Sequence, residues 1–118
     1  MLTMDALQAF GANTGEGVAR CFGKEDFYLR LVKMVVTQNQ KDFDQLDASV
    51  RSGDLGAAFE AAHSLKGVLG NLSLTPILEP VSEITEQLRA REDRDYSGPV
   101  STILERFEEL KKLCADAD

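Results

Sequence analysis

The chain has 118 residues, 43% of them hydrophobic and 28% charged, which is ordinary for one globular domain with a single core. Its net charge of −7 argues against nucleic acid as a partner, because nucleic acid favours basic surfaces. No apolar run approaches the roughly 18 residues of a membrane span, and the N-terminus lacks the pattern of a secretion signal. Two cysteines, Cys21 and Cys114, have no zinc-like spacing and are too few for a disulfide framework. We therefore expect a single domain over residues 1–118 in the cytoplasm, with no metal, membrane or nucleic acid bound.

Helical periodicity predicts two short helices and then a long one. The first covers residues 5–10. The second is capped by Thr14, runs to about residue 22 and is stopped by Gly23. The long helix begins at residue 24 or 25 and continues to about residue 49. Its apolar residues recur mostly at three-, four- and seven-residue steps: Phe27, Leu31, Met34, Val35, Phe43, Leu46 and Val50.

A tight turn over residues 51–54 precedes the next helix, which covers residues 55–72 and has Ser52 or Asp54 available as its cap. Thr75 is predicted to cap the following helix, with Pro76 at its first position, and this helix ends near residue 91. Because Pro80 removes a backbone donor, we expect an irregular first turn or a later start there. The residues predicted to be buried on this helix are Ile77 or Leu78, Val81, Ile84, Thr85 and Leu88.

The last helix starts after residues 96–99. It is predicted to bury Val100, Ile103, Leu104, Phe107, Leu110 and Cys114. Four long amphipathic helices with short connections predict an all-α fold, an antiparallel up-and-down four-helix bundle over residues 24–115. The short extra helices of residues 1–23 would form an N-terminal lid.

The helix predicted over residues 55–72 carries the only histidine of the chain, His63. At 3.6 residues per turn its apolar residues share one face, and His63 lies on the opposite, solvated face. The apolar face consists of Leu55, Ala58, Ala62, Leu65, Leu69 and Leu72. The outer face carries Gly56, Gly67 and Gly70 around His63, although each helical glycine costs about 1 kcal/mol relative to alanine. This pattern indicates a face that is kept clear so that something can come close.

The residues near His63 leave few chemical roles for it. A metal site would need further ligands, and Glu60 is the only candidate nearby. Ser64 lies on the flank of a regular helix and not on the nucleophile elbow of a hydrolase, and the chain has no glycine-rich phosphate loop. One interpretation is a surface histidine without chemistry. The other is a nucleophilic imidazole that attacks an electrophile on another molecule, with Lys66 offsetting the charge of the transferred group.

The run Ala-His-Ser-Leu-Lys-Gly at residues 62–67 resembles the motif of histidine-containing phosphotransfer (HPt) domains. The turn at residues 51–54 and the stretches 17–20, 27–29 and 78–88 are also similar to that family, so the resemblance covers nearly the whole chain. It implies a phosphorelay intermediate in two-component signalling, without an ATP site or autokinase activity of its own.

By this resemblance, His63 takes a phosphoryl group on Nε2 from the aspartyl phosphate of a response-regulator receiver domain and passes it to another receiver. Lys66 balances the phosphoryl charge. No cofactor is expected on this chain, because the Mg²⁺ of the reaction belongs to the receiver. The expected partners are receiver domains and a histidine kinase or hybrid kinase, and the expected state is a monomer.

The resemblance also implies a docking face around the histidine. Gly67 and Gly70 let the partner's active-site edge approach the imidazole. Phe59 is either a residue at the edge of the core or an exposed apolar docking contact, and Ser64 is a solvated neighbour of His63. The family places a polar residue from the following helix near the histidine. The candidates for it are Ser82, Glu86 and Arg89.

Two other functions stay open. A phosphate-accepting domain of a chemotaxis-type histidine kinase system would use the same histidine, with ATP as the donor through a separate catalytic domain. A non-catalytic helical adaptor would keep the bundle and bind receivers without moving phosphate.

Overall fold

A computed structural model of the protein describes residues 2–115, and over these residues the chain forms seven α-helices and no strand. The helices are α1 (Met4–Phe10), α2 (Thr14–Arg20), α3 (Glu25–Gln38), α4 (Gln40–Ser52), α5 (Leu55–Asn71), α6 (Thr75–Arg89) and α7 (Ser97–Ala115). None of them combines the length and the apolar character needed to cross a membrane. The predicted all-α fold is confirmed.

Four helical rods form the bundle, and the first of them consists of α3 and α4 in succession. α5 packs between α4 and α6, while α7 packs against α6 and closes the ring on both α3 and α4. The two short helices lie outside this ring, α1 against α7 and α2 against α3. The arrangement confirms the predicted four-helix bundle with short extra N-terminal helices.

The core runs along the inside of the bundle. The ring of Phe43 on α4 stacks on the ring of Phe107 on α7, with centroids 3.8 Å apart and an angle of 12° between the planes. Leu104 and Cys114, also predicted to be buried on α7, are only half-buried. The other residues predicted for the last two helices are buried as expected: Ile77, Val81, Ile84, Thr85, Leu88, Val100, Ile103, Phe107 and Leu110.

The long helix predicted over residues 24–49 is divided at Asn39, so that prediction is wrong. The Asn39 N–H still donates to the carbonyl of Val35, but the Asn39 side-chain amide donates to the Asp42 carboxylate at 2.9 Å. The Asn39 carbonyl then accepts the first bonds of α4, from the N–H groups of Asp42 and Phe43. Because an asparagine side chain that bonds locally competes with the helical ladder, the chain bends here and starts again.

The buried face of α3 differs from the apolar series read from the sequence. Tyr28, Val32 and Val35 are buried, whereas Met34 is 37% exposed and Leu31 is half-buried. Apolar residues occupy more than one face of α3, so periodicity alone does not choose which face is buried. Leu31 and Met34 consequently lie at the surface beside α5.

The turn before α5 is shorter than the predicted residues 51–54, because α4 continues to Ser52 and only Gly53 and Asp54 connect the two helices. Gly53 ends α4 with a left-handed φ of +80°, a conformation that glycine adopts without steric cost. Asp54 caps α5, since its side-chain oxygen accepts a hydrogen bond from the N–H of Ala57 at 3.1 Å.

The start of α6 differs from the prediction in two ways. Thr75 is not a cap but the first residue of the helix, and its hydroxyl donates to the carbonyl of Ser73 at 3.3 Å. Pro80 lies inside α6, which starts without delay. Pro80 is in the second turn, so it removes only the donor that would reach the carbonyl of Pro76.

The cap and the end of α2 also differ from the prediction. Asn13 is the cap, because its side-chain oxygen accepts from the N–H of Glu16 at 3.3 Å, and Thr14 is a buried residue of the first turn. α2 ends at Arg20, before residue 22, because Phe22 and Gly23 adopt left-handed backbone conformations with φ of +61° and +72°.

Residues of α2, of its N-cap and of α3 hold the turn that follows α5. The Tyr28 hydroxyl donates to the carbonyl of Leu72 at 2.8 Å, and the Asn13 N–H donates to the carbonyl of Ser73 at 3.0 Å. Gly17 packs so closely here that a Cβ on it would overlap the Tyr28 ring and lie 2.9 Å from the Leu72 carbonyl oxygen. We call Asn13, Gly17 and Tyr28 the N-terminal clamp. It fixes the C-terminal end of the helix that carries His63.

Candidate functional site

α5 presents His63 to solvent because the opposite side of the helix packs into the core. The buried residues of α5 are Ala58, Ala61, Ala62, Leu65 and Leu69. Leu55 was predicted on the same face but is 37% exposed, and it is the first residue of the helix. His63 is exposed, as the pattern predicts.

Phe59 lies against the imidazole of His63. The two ring centroids are 5.6 Å apart and the planes differ by 15°. Phe59 is half-buried, packs against the core and also lines a surface hollow, so the interpretations as a core-edge residue and as a docking contact both stay open. The guanidinium carbon of Arg89 on α6 is 5.1 Å from the centroid of the same Phe59 ring, in cation–π range. The imidazole therefore has a packed aromatic neighbour that restricts its orientation.

Charged side chains from α5 and α6 meet beside His63. The Glu86 carboxylate accepts a hydrogen bond from Arg89 Nε at 3.1 Å and lies 3.8 Å from Lys66 Nζ. The hydrogen bond from Arg89, together with the positive charges of Arg89 and Lys66, lowers the pKa of Glu86 below its ordinary value. The side chains of these ion pairs are between 39% and 56% exposed, so solvent screens the pairs and they contribute little to folding.

Of the three α6 candidates for a polar residue near the histidine, Glu86 and Arg89 lie in this charged group. Ser82 is half-buried one turn earlier on α6. The sequence shows that these residues share a helix, but only the packing of α6 on α5 shows which of them meets Lys66.

The glycines of the outer face lie in open surroundings. A Cβ on Gly67 would have no atom within 4 Å, and a Cβ on Gly70 would meet only the Leu78 side chain, at 3.9 Å. Packing therefore does not require glycine at either position. Ser64, next to His63, is exposed as predicted.

Two surface hollows with largely apolar linings border α5, and Phe59, which stacks on His63, lines one of them. Leu55, Phe59 and Leu88 line the one towards the N-terminal end, and Leu31, Met34 and Val68 line the one towards the C-terminal end. Within residues 2–115, the large hydrophobic side chains that are exposed are Phe22, Met34 and Leu55, so two of these three border the hollows. Sequence reasoning missed Leu31 and Met34 because they were assigned to the buried series of the long helix. The second arc of apolar residues on α3 could have indicated that they are exposed, because a single buried face does not account for both arcs.

No group of three or more His, Cys, Asp or Glu side chains that could hold a metal ion occurs in the part of the chain that the structure describes. The chemistry available at His63 is that of an accessible imidazole with two neighbouring cations and one carboxylate.

A family model, that of the Hpt domain, matches residues 30–117, which is more than half of the chain. The chain therefore belongs to the Hpt domain family, and its function is histidine phosphotransfer in a phosphorelay, in interaction with two-component kinases and receivers. The match includes His63 and most of α3 through α7, while α1 and α2 precede it. Comparisons with curated proteins and with solved structures gave no match.

Proposed function

We propose that His63 carries the phosphoryl group in this Hpt domain. It is the only histidine of the chain and lies within the residues that match the family. Its imidazole is exposed on the outer face of α5, one turn from Gly67, where an added Cβ would meet nothing within 4 Å. This open approach to the sole histidine is the observation that carries the proposal.

The transfer is a nucleophilic substitution at phosphorus. The lone pair on Nε2 of neutral His63 forms the N–P bond while the P–O bond to the partner's aspartate breaks, and that electron pair leaves on the aspartate carboxylate. The Nδ1 proton stays on the ring during the step. Passing the group to a second receiver is the same reaction in reverse. This domain contributes the position of the nucleophile, which Phe59 supports, and the receiver contributes its Mg²⁺.

Lys66 supports the charge of the transferred group. A phosphoryl group carries about −1.5 to −2 charges near pH 7, and a lysine one turn after the acceptor offers a mobile cation on the same surface. The Lys66 side chain is 39% exposed, so it is free to move from its present partner towards phosphate on His63.

The receiver docks on the outer face of α5. Because Gly67 and Gly70 have no side chains, nothing projects from α5 at these positions beside the imidazole. Ser64 and Phe59 are further neighbours of His63 on the same helix. The hollow lined by Leu55, Phe59 and Leu88 extends this face towards the N-terminal end of α5. Apolar contacts around a reacting pair exclude water and hold the two atoms in line.

We place the domain between receivers as a cytoplasmic monomer. The large hydrophobic side chains exposed within residues 2–115 are only Phe22, Met34 and Leu55, and so few fit a transient partner better than a permanent dimer.

Phosphotransfer profiling tests the proposal. Receiver domains from the same genome, each charged with acetyl phosphate, are mixed with the protein, and the adduct is detected by intact mass. We expect an acid-labile, base-stable adduct with one or a few receivers, and none with the His63→Gln variant. A His63→Gln variant that accepts phosphate as well as the wild type would overturn the assignment. Transfer only from an ATP-bound kinase would favour a chemotaxis-type system, and receiver binding without phosphate movement would favour an adaptor.

A further inference from the structure

The Glu86 carboxylate pairs with Lys66 and Arg89, two cations that could act as counter-ions of a phosphoryl group on His63. Glu86 lies 3.1 Å from Arg89 Nε and 3.8 Å from Lys66 Nζ, and so joins the two cations nearest to the histidine. Lys66 comes from α5 and both other residues come from α6, so the Lys66–Glu86 pair bridges the two helices beside the acceptor.

We propose that Glu86 competes with the phosphoryl group for Lys66 and Arg89, and that it thereby weakens the retention of phosphate on His63 and favours its onward transfer. This inference rests on the proposed role of His63. It assigns to Glu86 a part in setting the balance between accepting and releasing phosphate, and no contact with the reacting atoms is required.

The placement of the three side chains supports competition. Lys66 is one helical turn after His63, so its ammonium group reaches either phosphate on His63 or the Glu86 carboxylate, but a close contact with one weakens contact with the other. Arg89 lies over the Phe59 ring, which in turn stacks on His63, so its guanidinium is at the edge of the same surface. Phosphate that recruits either cation must share it with Glu86 or draw it away from Glu86.

Charge gives the direction of the effect. Lys66, Arg89 and Glu86 together carry one net positive charge, and without the carboxylate they would carry two. An arriving phosphoryl group is therefore attracted less strongly, and is held less strongly, than it would be by the two cations alone. The positive charges of Arg89 and Lys66 also lower the pKa of Glu86, in agreement with the contacts that the carboxylate makes with both side chains.

The test compares Glu86→Gln with the wild type, using phosphoramidate as a small phosphoryl donor that needs no partner protein. Glutamine keeps the shape and the helix propensity of glutamate and removes only its charge. The second-order rate constant of phosphohistidine formation, followed by intact mass or ³¹P NMR, is expected to rise about three- to tenfold, and the loss of phosphate is expected to slow. Glu105→Gln on α7 is the matched control, because it makes the same change in net charge on a helix that does not pack against α5. It is expected to leave both rates unchanged.

Salt separates a charge effect from a structural one. The difference between Glu86→Gln and the wild type is expected to shrink between about 10 mM and about 1 M salt, since exposed charges are screened over this range. Equal rates in the wild type and Glu86→Gln, slower phosphorylation of Glu86→Gln, or an equal increase in Glu105→Gln would each overturn the role of Glu86. If phosphoramidate phosphorylates His63→Gln as readily as the wild type, the proposed acceptor itself fails, which is a different result from any of these.

Discussion

Gly17 and Gly67 are both glycines inside helices, and their surroundings differ completely. At Gly17, in the N-terminal clamp, a Cβ would overlap the Tyr28 ring and press on the Leu72 carbonyl oxygen. At Gly67, on the outer face of α5, a Cβ would have no atom within 4 Å. Packing explains the first glycine and leaves the second without a structural reason. A helical glycine that nothing in the fold requires, one turn from an exposed histidine, is best explained by what approaches from outside.

The same contrast holds for the two regions as a whole. In the clamp, Tyr28 and Asn13 direct their donors to the carbonyls of Leu72 and Ser73, so the polar groups of the turn are bonded within the chain. Around His63 the polar groups are exposed and their ion pairs are solvated. We therefore expect the clamp to govern stability and the outer face of α5 to govern transfer. Variants in each region should change one property without the other.

The largest effect is expected from His63→Gln. The variant loses phosphoryl acceptance entirely, because an amide does not supply the nucleophilic ring nitrogen. Its free energy of unfolding should change by no more than about 0.5 kcal/mol, since the side chain is exposed. Phosphotransfer from a charged receiver and urea unfolding measure the two quantities. A large loss of stability would contradict the separation between the regions.

Gly17→Ala should give the opposite result. The added methyl group forces the buried Tyr28 ring or the α5–α6 turn to shift, which costs about 1–3 kcal/mol in overpacking. The better helix propensity of alanine offsets about 1 kcal/mol of that cost. The matched variant Gly67→Ala has open space for its methyl group and should be as stable as the wild type or up to about 1 kcal/mol more stable. Urea unfolding of the pair checks this, and equal stabilities of the two variants would remove the contrast.

How far the sequence predicts this fold depends on the helix. On α6 the apolar residues follow a single stripe, and the series from Ile77 to Leu88 is buried as predicted. On α3 two apolar arcs compete, and only tertiary packing decides that Tyr28 is inside and Met34 outside. The helix break at Asn39 could not be predicted from a glycine or proline, because it arises from the hydrogen bonding of the Asn39 side chain.

The candidate site divides in the same way. The exposure of His63 follows from the pattern of one helix, so the sequence was sufficient to predict it. The meeting of Glu86 with Lys66 depends on how α6 is rotated against α5, and the stacking of Phe59 on His63 depends on side-chain rotamers. The spacing of residues along the sequence predicts neither of these two contacts.

Gly67→Glu tests whether the open surface serves a partner. A long acidic side chain there obstructs the docking face and repels the phosphoryl group, and we expect transfer from a receiver to slow about tenfold or more. The fold should stay intact, because the position is exposed and has room. Gly67→Ala is the control, with a small side chain and near-normal transfer. Wild-type rates in Gly67→Glu would show that this glycine does not serve access.

Tyr28→Phe examines the clamp at the level of one hydrogen bond. Loss of the hydroxyl leaves the Leu72 carbonyl without its donor and should lower the free energy of unfolding by about 0.5–1.5 kcal/mol. Burial raises the pKa of Tyr28 from 10.0 to about 12 in the folded state, so the unfolded chain releases this proton first as the pH rises. The wild type should therefore lose stability between pH 10 and pH 12, and Tyr28→Phe should lose less. Urea unfolding below pH 10 and within this range measures both effects, and parallel pH dependence of the two proteins would contradict the assignment.

Lys66→Ala is expected to have the smallest effect, and it bears on the outer face of α5 alone. The lysine is a partly exposed cation whose contribution is screened by solvent, so its loss should slow transfer no more than about fivefold, far less than the loss of His63. Lys66→Arg, which keeps the charge, should restore most of the rate, whereas Lys112→Ala on α7 should leave it unchanged. In Lys66→Ala, Glu86 retains Arg89 as its partner. Because salt screens exposed charges, the loss of transfer rate in Lys66→Ala should also diminish as salt is added. An unchanged rate in Lys66→Ala would reduce the residue to an ordinary surface charge, and the low outer face around Gly67 would then be left to account for transfer by geometry alone.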